Sequence, residues 1–216
     1  MSMDKIKTII FDLDGTLVNT INVTIPAFEN VIKDLKEKNM IEYLPDKKEI
    51  MKYIGYPIDQ IFTNLYDSND KKLIEESVRL LDHYEEIIIE NNDNIFFDGV
   101  IEVLDYLSKK GYKMMVLSNC NTTYLNSILK KGIEIYIDEP YCSEMFDWKD
   151  KEEVMKKVID LNKKEEYVMV GDRKHDIKAA KDNGIKSIGC DYGYGQHEIN
   201  SADIIIKDIK ELIDIF

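Results

Sequence analysis

A chain of 216 residues with a net charge of −13, 44% hydrophobic and 33% charged, has the balance of a soluble globular protein rather than a disordered one. The excess of acid excludes nucleic acid and anionic membrane as natural partners, and it repels phosphorylated ligands in general, so any anion site must be built locally from a cation, a lysine and backbone amides. No apolar run approaches the ~20 residues of a membrane span, and the cysteines (Cys120, Cys142, Cys190) share no metal-like spacing, so reduced thiols in a cytoplasmic protein are expected.

Lys7 to Phe11 reads as a strand that delivers Asp12 and Asp14 to its C-terminal end, where Gly15 lets the backbone turn sharply. That end is where open α/β sheets place their ligands. Residues 20–92 then read as almost wholly helical. Val23, Ala27, Val31 and Leu35 share one helical face, and Leu73, Val78, Leu81, Tyr84 and Ile88 mark a long amphipathic segment. Polar breaks at Leu44-Pro45-Asp46, Gly55-Tyr56-Pro57 and Asp67 to Asp70 divide them.

From Asp98 onward strand and helix alternate. Asp98-Gly99 opens a helix through Lys110, and Tyr112 to Leu117 is a strand. Thr122 to Lys131 is helical, Ile133 to Ile137 a short strand, and Lys151 to Leu161 a helix. Tyr167 to Val170 is a buried strand, Asp176 to Asn183 a helix with Asp176 as its N-cap, and Lys186 to Cys190 and Asp203 to Ile206 are strands. A helix over Ile209 to Ile213 completes the series. This alternation predicts an α/β fold with a mainly parallel sheet and helices on both faces. The helical block after the first strand is then an inserted cap.

Three strand ends carry polar groups suited to phosphate and metal. The first bears Asp12 and Asp14. The second bears Ser118-Asn119, a hydroxyl followed by polar backbone. The third is Gly171-Asp172, with Asp176 four residues on, a spacing that suits a hard divalent cation. Lys149 and Lys151 stand where a helix begins between the second and third of these.

Asp12-x-Asp14-Gly15-Thr16, Ser118, the lysine and Gly171-Asp172-x-x-x-Asp176 resemble, in order, the four motifs of the haloacid dehalogenase superfamily. The lysine has two registers. Lys151 with Val154 three residues on fits better than Lys149, which has Glu152 there, and the common Lys-Pro is absent. The resemblance implies a Rossmann-like core at 1–19 and 93–216 with an all-helical cap domain at 20–92. It implies Asp12 as nucleophile, Asp14 as general acid and base, and Thr16 as the residue that orients Asp14. It also implies Ser118, Asn119 and Lys151 on the phosphoryl oxygens, and Mg²⁺ held by Asp12, the Asp14 carbonyl and Asp172, with Asp176 in support.

The activity so implied is a Mg²⁺-dependent phosphatase on a small phosphorylated metabolite, of the phosphoglycolate-phosphatase type and monomeric by default. A β-phosphoglucomutase-like phosphotransferase keeps the same core motifs. Gly55-Tyr56-Pro57-Ile58, with no basic residue after the glycine, sides with the phosphatases. Dehalogenase chemistry does not need Asp14 or Asp172, and a non-catalytic phospholigand-binding module would need none of the set intact. Asp191-Tyr192-Gly193-Tyr194-Gly195 reads as a glycine-rich turn or a substrate contact, and His175 as an exposed bystander.

Overall fold

Six short apolar runs form a single parallel sheet in the computed structural model of the chain, which describes residues 3–54, 56, 58–162, 166–195 and 197–216. They are β1 (Thr8–Phe11), β2 (Lys113–Ser118), β3 (Glu139–Cys142), β4 (Tyr167–Gly171), β5 (Lys186–Cys190) and β6 (Ile204–Ile206), in the order β3-β2-β1-β4-β5-β6. The order reverses at β1, so the crevice of the sheet opens at the C-terminal end of that strand. Phe11 lies level with Val116 of β2 and Val170 of β4. This register brings Asp12, Ser118 and Asp172 out along one edge.

Helices α1 (Thr24–Glu37), α2 (Lys47–Met51), α3 (Ile58–Tyr66) and α4 (Lys71–Asn91) follow β1. They are followed by α5 (Val100–Lys109), α6 (Thr122–Ile128), α7 (Lys151–Asn162), α8 (Lys174–Asp182) and α9 (Leu212–Ile215). The period of two along each strand sorts residues between two layers. Ile9, Phe11, Val116 and Val170 face a core shared with α5, α6 and α9, while Ile10, Met115, Leu117 and Met169 face α7 and α8. Covered on both sides, β1, β2 and β4 are nearly continuous apolar runs.

Helices α1 to α4 gather a core of their own around Phe28, Val31, Leu35, Ile54, Phe62 and Leu81. Asp46 and Glu49 close a capping box at the start of α2, and Asp70 caps α4, which accounts for the breaks before them. Gly55 and Pro57 of the second break lie outside the described residues. The chain leaves for these helices and returns from them side by side. Asn19 N donates to the Ile95 carbonyl at 2.8 Å, and Phe97 N to the Leu17 carbonyl at 3.0 Å.

The structure departs from the sequence reading in three places. The strand expected over Ile133–Ile137 does not form: Gly132 at φ 116° ends the preceding helix and a 3-10 turn follows at Glu134–Tyr136. Ile133 and Ile137 are buried with Ile135 81% exposed, a spacing of four that serves a helical turn as well as a strand. Pairing starts after Asp138, which exchanges two bonds with the Met114 backbone. Next, Asp176 is not an N-cap. Helix α8 begins at Lys174, and the Asp176 carboxylate reaches back to accept from Arg173 N at 2.9 Å. Finally, Gly99 precedes α5 at φ 86° with no side-chain cap. Among the described residues, no helix is long and apolar enough to cross a membrane.

Candidate active site

Asp12 is set by one further step of sheet pairing, its N donating to the Val170 carbonyl at 2.9 Å. Across from it, the first residue of α7 sends a lysine into the crevice. Lys151 Nζ lies 2.6 Å from Asp12 Oδ1 and 2.7 Å from Asp176 Oδ1, and all three side chains are buried. Lys149 stays outside, pairing with Glu153 at 3.0 Å on the surface. The geometry therefore brings Lys151, of the two registers, to the other site residues.

Asp12, Asp172 and Asp176 offer oxygens that all lie within 4.8 Å of one another. One ammonium faces three carboxylates, and the imbalance appears in the titration of Asp12 and Asp172. Burial, then Asp176 and Asp172 against the pull of Lys151, raises the Asp12 carboxyl well above its ordinary range. Burial and Asp176 push Asp172 to about 7. The Lys151 ammonium is opposed by burial but held above its ordinary range by Asp12 and Asp176. Asp172 Oδ1 is buried without a hydrogen-bond partner. An orphaned carboxylate oxygen among an excess of acidic oxygens fits a hard, oxygen-preferring cation such as Mg²⁺.

Two glycines make room for Asp172. A Cβ on Gly15, held at φ 82°, or on Gly193 would overlap the Asp172 side chain. The next residue, Tyr194, donates its N to Asp172 Oδ2 at 2.6 Å. Its hydroxyl accepts from Ile21 N and bonds Asn19 Oδ1, both at 3.1 Å, while Tyr192 donates its hydroxyl to the Thr16 carbonyl at 3.0 Å. The glycine-rich turn thus ties Asp172 to the segment that leads into α1.

Asp14 Oδ1 accepts from the Tyr124 hydroxyl at 2.7 Å and Thr20 Oγ1 at 3.0 Å. Burial raises its carboxyl, while those two bonds lower it. Thr16, expected to help orient Asp14, makes no hydrogen bond to it, since its Oγ1 is buried with no hydrogen-bond partner. Thr20 and Tyr124 do so instead. Only the position of Thr20, six residues after Asp14, hinted at this, and nothing local to Tyr124 did. Ser118 and Asn119 line the same cavity as Asp12 and Asp14, and Asn119 Oδ1 accepts from Ser143 Oγ at 3.1 Å.

That cavity, about 60 Å³, runs from the carboxylates up between α1, α3, α4 and α6. Its upper wall is Phe28, Ile54, Ile58, Ile61 and Leu81, broken by Asp82 and Glu85 of α4. Glu85 is 8% exposed and accepts from Thr24 Oγ1 at 2.8 Å. Burial, then Asp14 and Asp82 against the pull of Thr24, raises its carboxyl well above the usual range. Tyr56 also lines the cavity and packs beneath α8, with the Arg173 guanidinium 5.1 Å and the Lys174 ammonium 5.2 Å from its ring centre. His175 is half-buried against the same ring, contrary to the exposed position expected for it. Glu85 and Tyr124 went unread in the sequence, and Tyr194 was read only as part of a glycine-rich turn or substrate contact.

Residues 9–190 match the sequence model of a family described as haloacid dehalogenase-like hydrolase. The chain is 28% identical to the pyrophosphatase PpaX of Halalkalibacterium halodurans over 98% of its own length and 97% of that protein's. It superposes on a Clostridium difficile protein assigned as a phosphatase with a TM-score of 0.78 at 30% identity, covering 98% of each chain. A Haemophilus somnus protein assigned as a phosphoglycolate phosphatase shares the fold, with a TM-score of 0.79 at 23% identity over 98% of each chain.

Proposed function

The chain belongs to the haloacid dehalogenase-like hydrolases and is a phosphatase, and we propose that it hydrolyses a small phosphomonoester in two steps, carrying the phosphoryl group on Asp12. The observation that supports this reading most directly is the buried constellation in which Lys151 bridges Asp12 and Asp176 beside the orphaned Asp172 oxygen. Asp12, Asp172 and the backbone carbonyl of Asp14 would hold Mg²⁺, backed by Asp176, and the ion would neutralise charge on the phosphoryl oxygens. Lys151, the Ser118 hydroxyl and the amides beside Asp14 and Asn119 take the remaining oxygens, so the ester dianion no longer repels a carboxylate.

An Asp12 carboxylate oxygen then bonds to phosphorus as the ester P–O bond breaks, and Asp14 gives its proton to the departing alkoxide. Water next attacks the aspartyl-phosphate. The P–O bond to Asp12 breaks, Asp14 takes the water's proton, and Asp12 is regenerated with release of inorganic phosphate. Tyr124 and Thr20 occupy one oxygen of Asp14 and leave proton exchange to the other. The burial that raises the Asp14 carboxyl helps it hold that proton. Helices α1 to α4 act as the cap at 20–92, closing over the core at 1–19 and 93–216 to exclude water and select the substrate.

The test is Mg²⁺-dependent phosphate release from p-nitrophenyl phosphate together with trapping of a radiolabelled, hydroxylamine-sensitive phosphoenzyme. Both signals should disappear in Asp12→Asn. Turnover without Mg²⁺, or labelling that survives Asp12→Asn, would rule the reading out.

A further inference from the structure

The lower half of the cavity meets the phosphoryl group, so its upper half must meet whatever the phosphate is attached to. Among the described residues that line it, none is lysine or arginine. Its polar groups above Asp14 are Thr24, Tyr56, Asp82, Glu85 and Asn121, and Phe28, Ile54, Ile58, Ile61 and Leu81 make the apolar part of that wall. Asn121 donates to Asp82 at 2.7 Å, so an amide already serves one of the acids rather than an incoming anion. Whatever proton Glu85 holds, this wall presents no cation to a second negative group. Lys151 stands at the lower end, paired with Asp12 and Asp176, and Lys174 lies over the Tyr56 ring outside the lining.

A second cavity beyond Asn119 does carry Lys174, Lys178 and Lys181. Asp150, Glu152, Asp182 and Glu198 line it too, and Lys178 is paired with both Glu152 and Asp182. It offers no surplus of positive charge to which an anionic tail could extend.

Resting on the phosphatase reading above, we infer that the substrate is a phosphomonoester whose alcohol portion carries no negative charge and presents a hydroxyl or ammonium group to Asp82 and Glu85. Carboxylates or a second phosphate in that position would lie against Asp82 and Glu85 with no cation to balance them, a costly arrangement in a buried site. Hydroxyl and ammonium groups gain hydrogen bonds there, and a short carbon chain packs against Phe28, Ile58 and Leu81. This sets the chain apart from an enzyme acting on pyrophosphate or phosphoglycolate, both of which place a negative charge where the two acids stand.

The experiment is kcat/KM for the wild-type enzyme with Mg²⁺ on ethanolamine phosphate, glycerol phosphate, phosphoglycolate and pyrophosphate, with p-nitrophenyl phosphate reporting the chemical step. Ethanolamine or glycerol phosphate should exceed both anionic substrates by about tenfold or more. Phosphoglycolate or pyrophosphate turned over as well as the uncharged compounds would overturn the inference while leaving the phosphatase reading intact. Failure on every compound, p-nitrophenyl phosphate included, would overturn that reading and this inference with it. Glu85→Gln should shift the ratio of ethanolamine phosphate to p-nitrophenyl phosphate by about tenfold against the amine. An equal loss on both would remove Glu85 from substrate selection.

Discussion

Tyr56 and His175 meet edge to face, their ring centroids 4.9 Å apart and their planes at 90°. One stands between α2 and α3, the other in the first turn of α8, immediately before Asp176. The same segment is held twice more, since Arg173 covers the Tyr56 ring and donates to the Lys52 carbonyl at 3.2 Å. The helical layer therefore touches the acid cluster's own loop rather than merely overhanging it.

Tyr56→Ala removes the shared ring from that contact. KM for an alkyl phosphate should rise about tenfold, within the 1–3 kcal/mol of one pocket contact. On p-nitrophenyl phosphate, whose activated leaving group depends less on positioning for its departure, the change should be smaller. Steady-state kinetics on both substrates decide it, and equal losses would mean that the ring supports the acid cluster instead.

Asp12→Asn keeps the shape of the side chain and removes its nucleophilicity, so turnover should vanish while the thermal unfolding curve stays close to wild type. Asp14→Asn should separate substrates by leaving group. An alkoxide needs the proton that Asp14 supplies and a nitrophenolate does not, so alkyl phosphates should lose far more rate than aryl ones. Equal losses on both would refute the general-acid role.

Lys151→Ala should cost on the order of 10²–10³ in kcat, the scale for one preorganised donor. It should also lower stability by about 3–5 kcal/mol, because Asp12 and Asp176 then lose their buried partner. Lys149→Ala breaks only the exposed pair with Glu153, and should change stability by less than about 1 kcal/mol and leave kcat nearly unchanged. Phosphate release and urea titration of the two variants give the comparison.

Glu85 predicts a pH dependence of stability. Its folded carboxyl lies well above the unfolded value of 4.5, so its contribution is complete below 4.5 and is lost as pH rises through the folded value. Burial is the main cause, and Asp14 and Asp82 add to the cost of ionising it. Glu85→Gln cannot ionise, so its melting temperature should gain on wild type as pH is raised from about 5 to about 8. A constant difference across that range would show that Glu85 titrates normally.

The centre of the sheet was legible because β1, β2 and β4 are apolar runs with their polar cargo at one end. Asp12, Ser118 and Asp172 could be placed from their distance to such a run, and Lys151 from a helical register. What escaped depended on parts of the chain far apart in sequence. Tyr124 reaches Asp14 across 110 positions and Tyr194 reaches Asn19 across 175, and no local pattern marks either. Glu85 was hidden for another reason: on an amphipathic helix an acid reads as solvent-facing, and only the packing of α4 over α1 buries it. Ile133 to Ile137 misled because a spacing of four satisfies both periodicities.

Leu17–Asn19 and Ile95–Phe97, hydrogen-bonded to each other, form a single doorway through which the helical excursion both departs and returns. Seen from the sheet, everything beyond that doorway is one side loop whose ends already touch. Doubling the length of such a loop adds only about 0.6 kcal/mol of closure entropy. The excursion can therefore be lengthened, trimmed or exchanged with little consequence for the pairing of β1 with β2, and Asp12 keeps its place while the residues above it change. The exceptions are Thr20, which bonds Asp14, and Tyr56, which packs on His175: an exchanged excursion would have to bring equivalents of both.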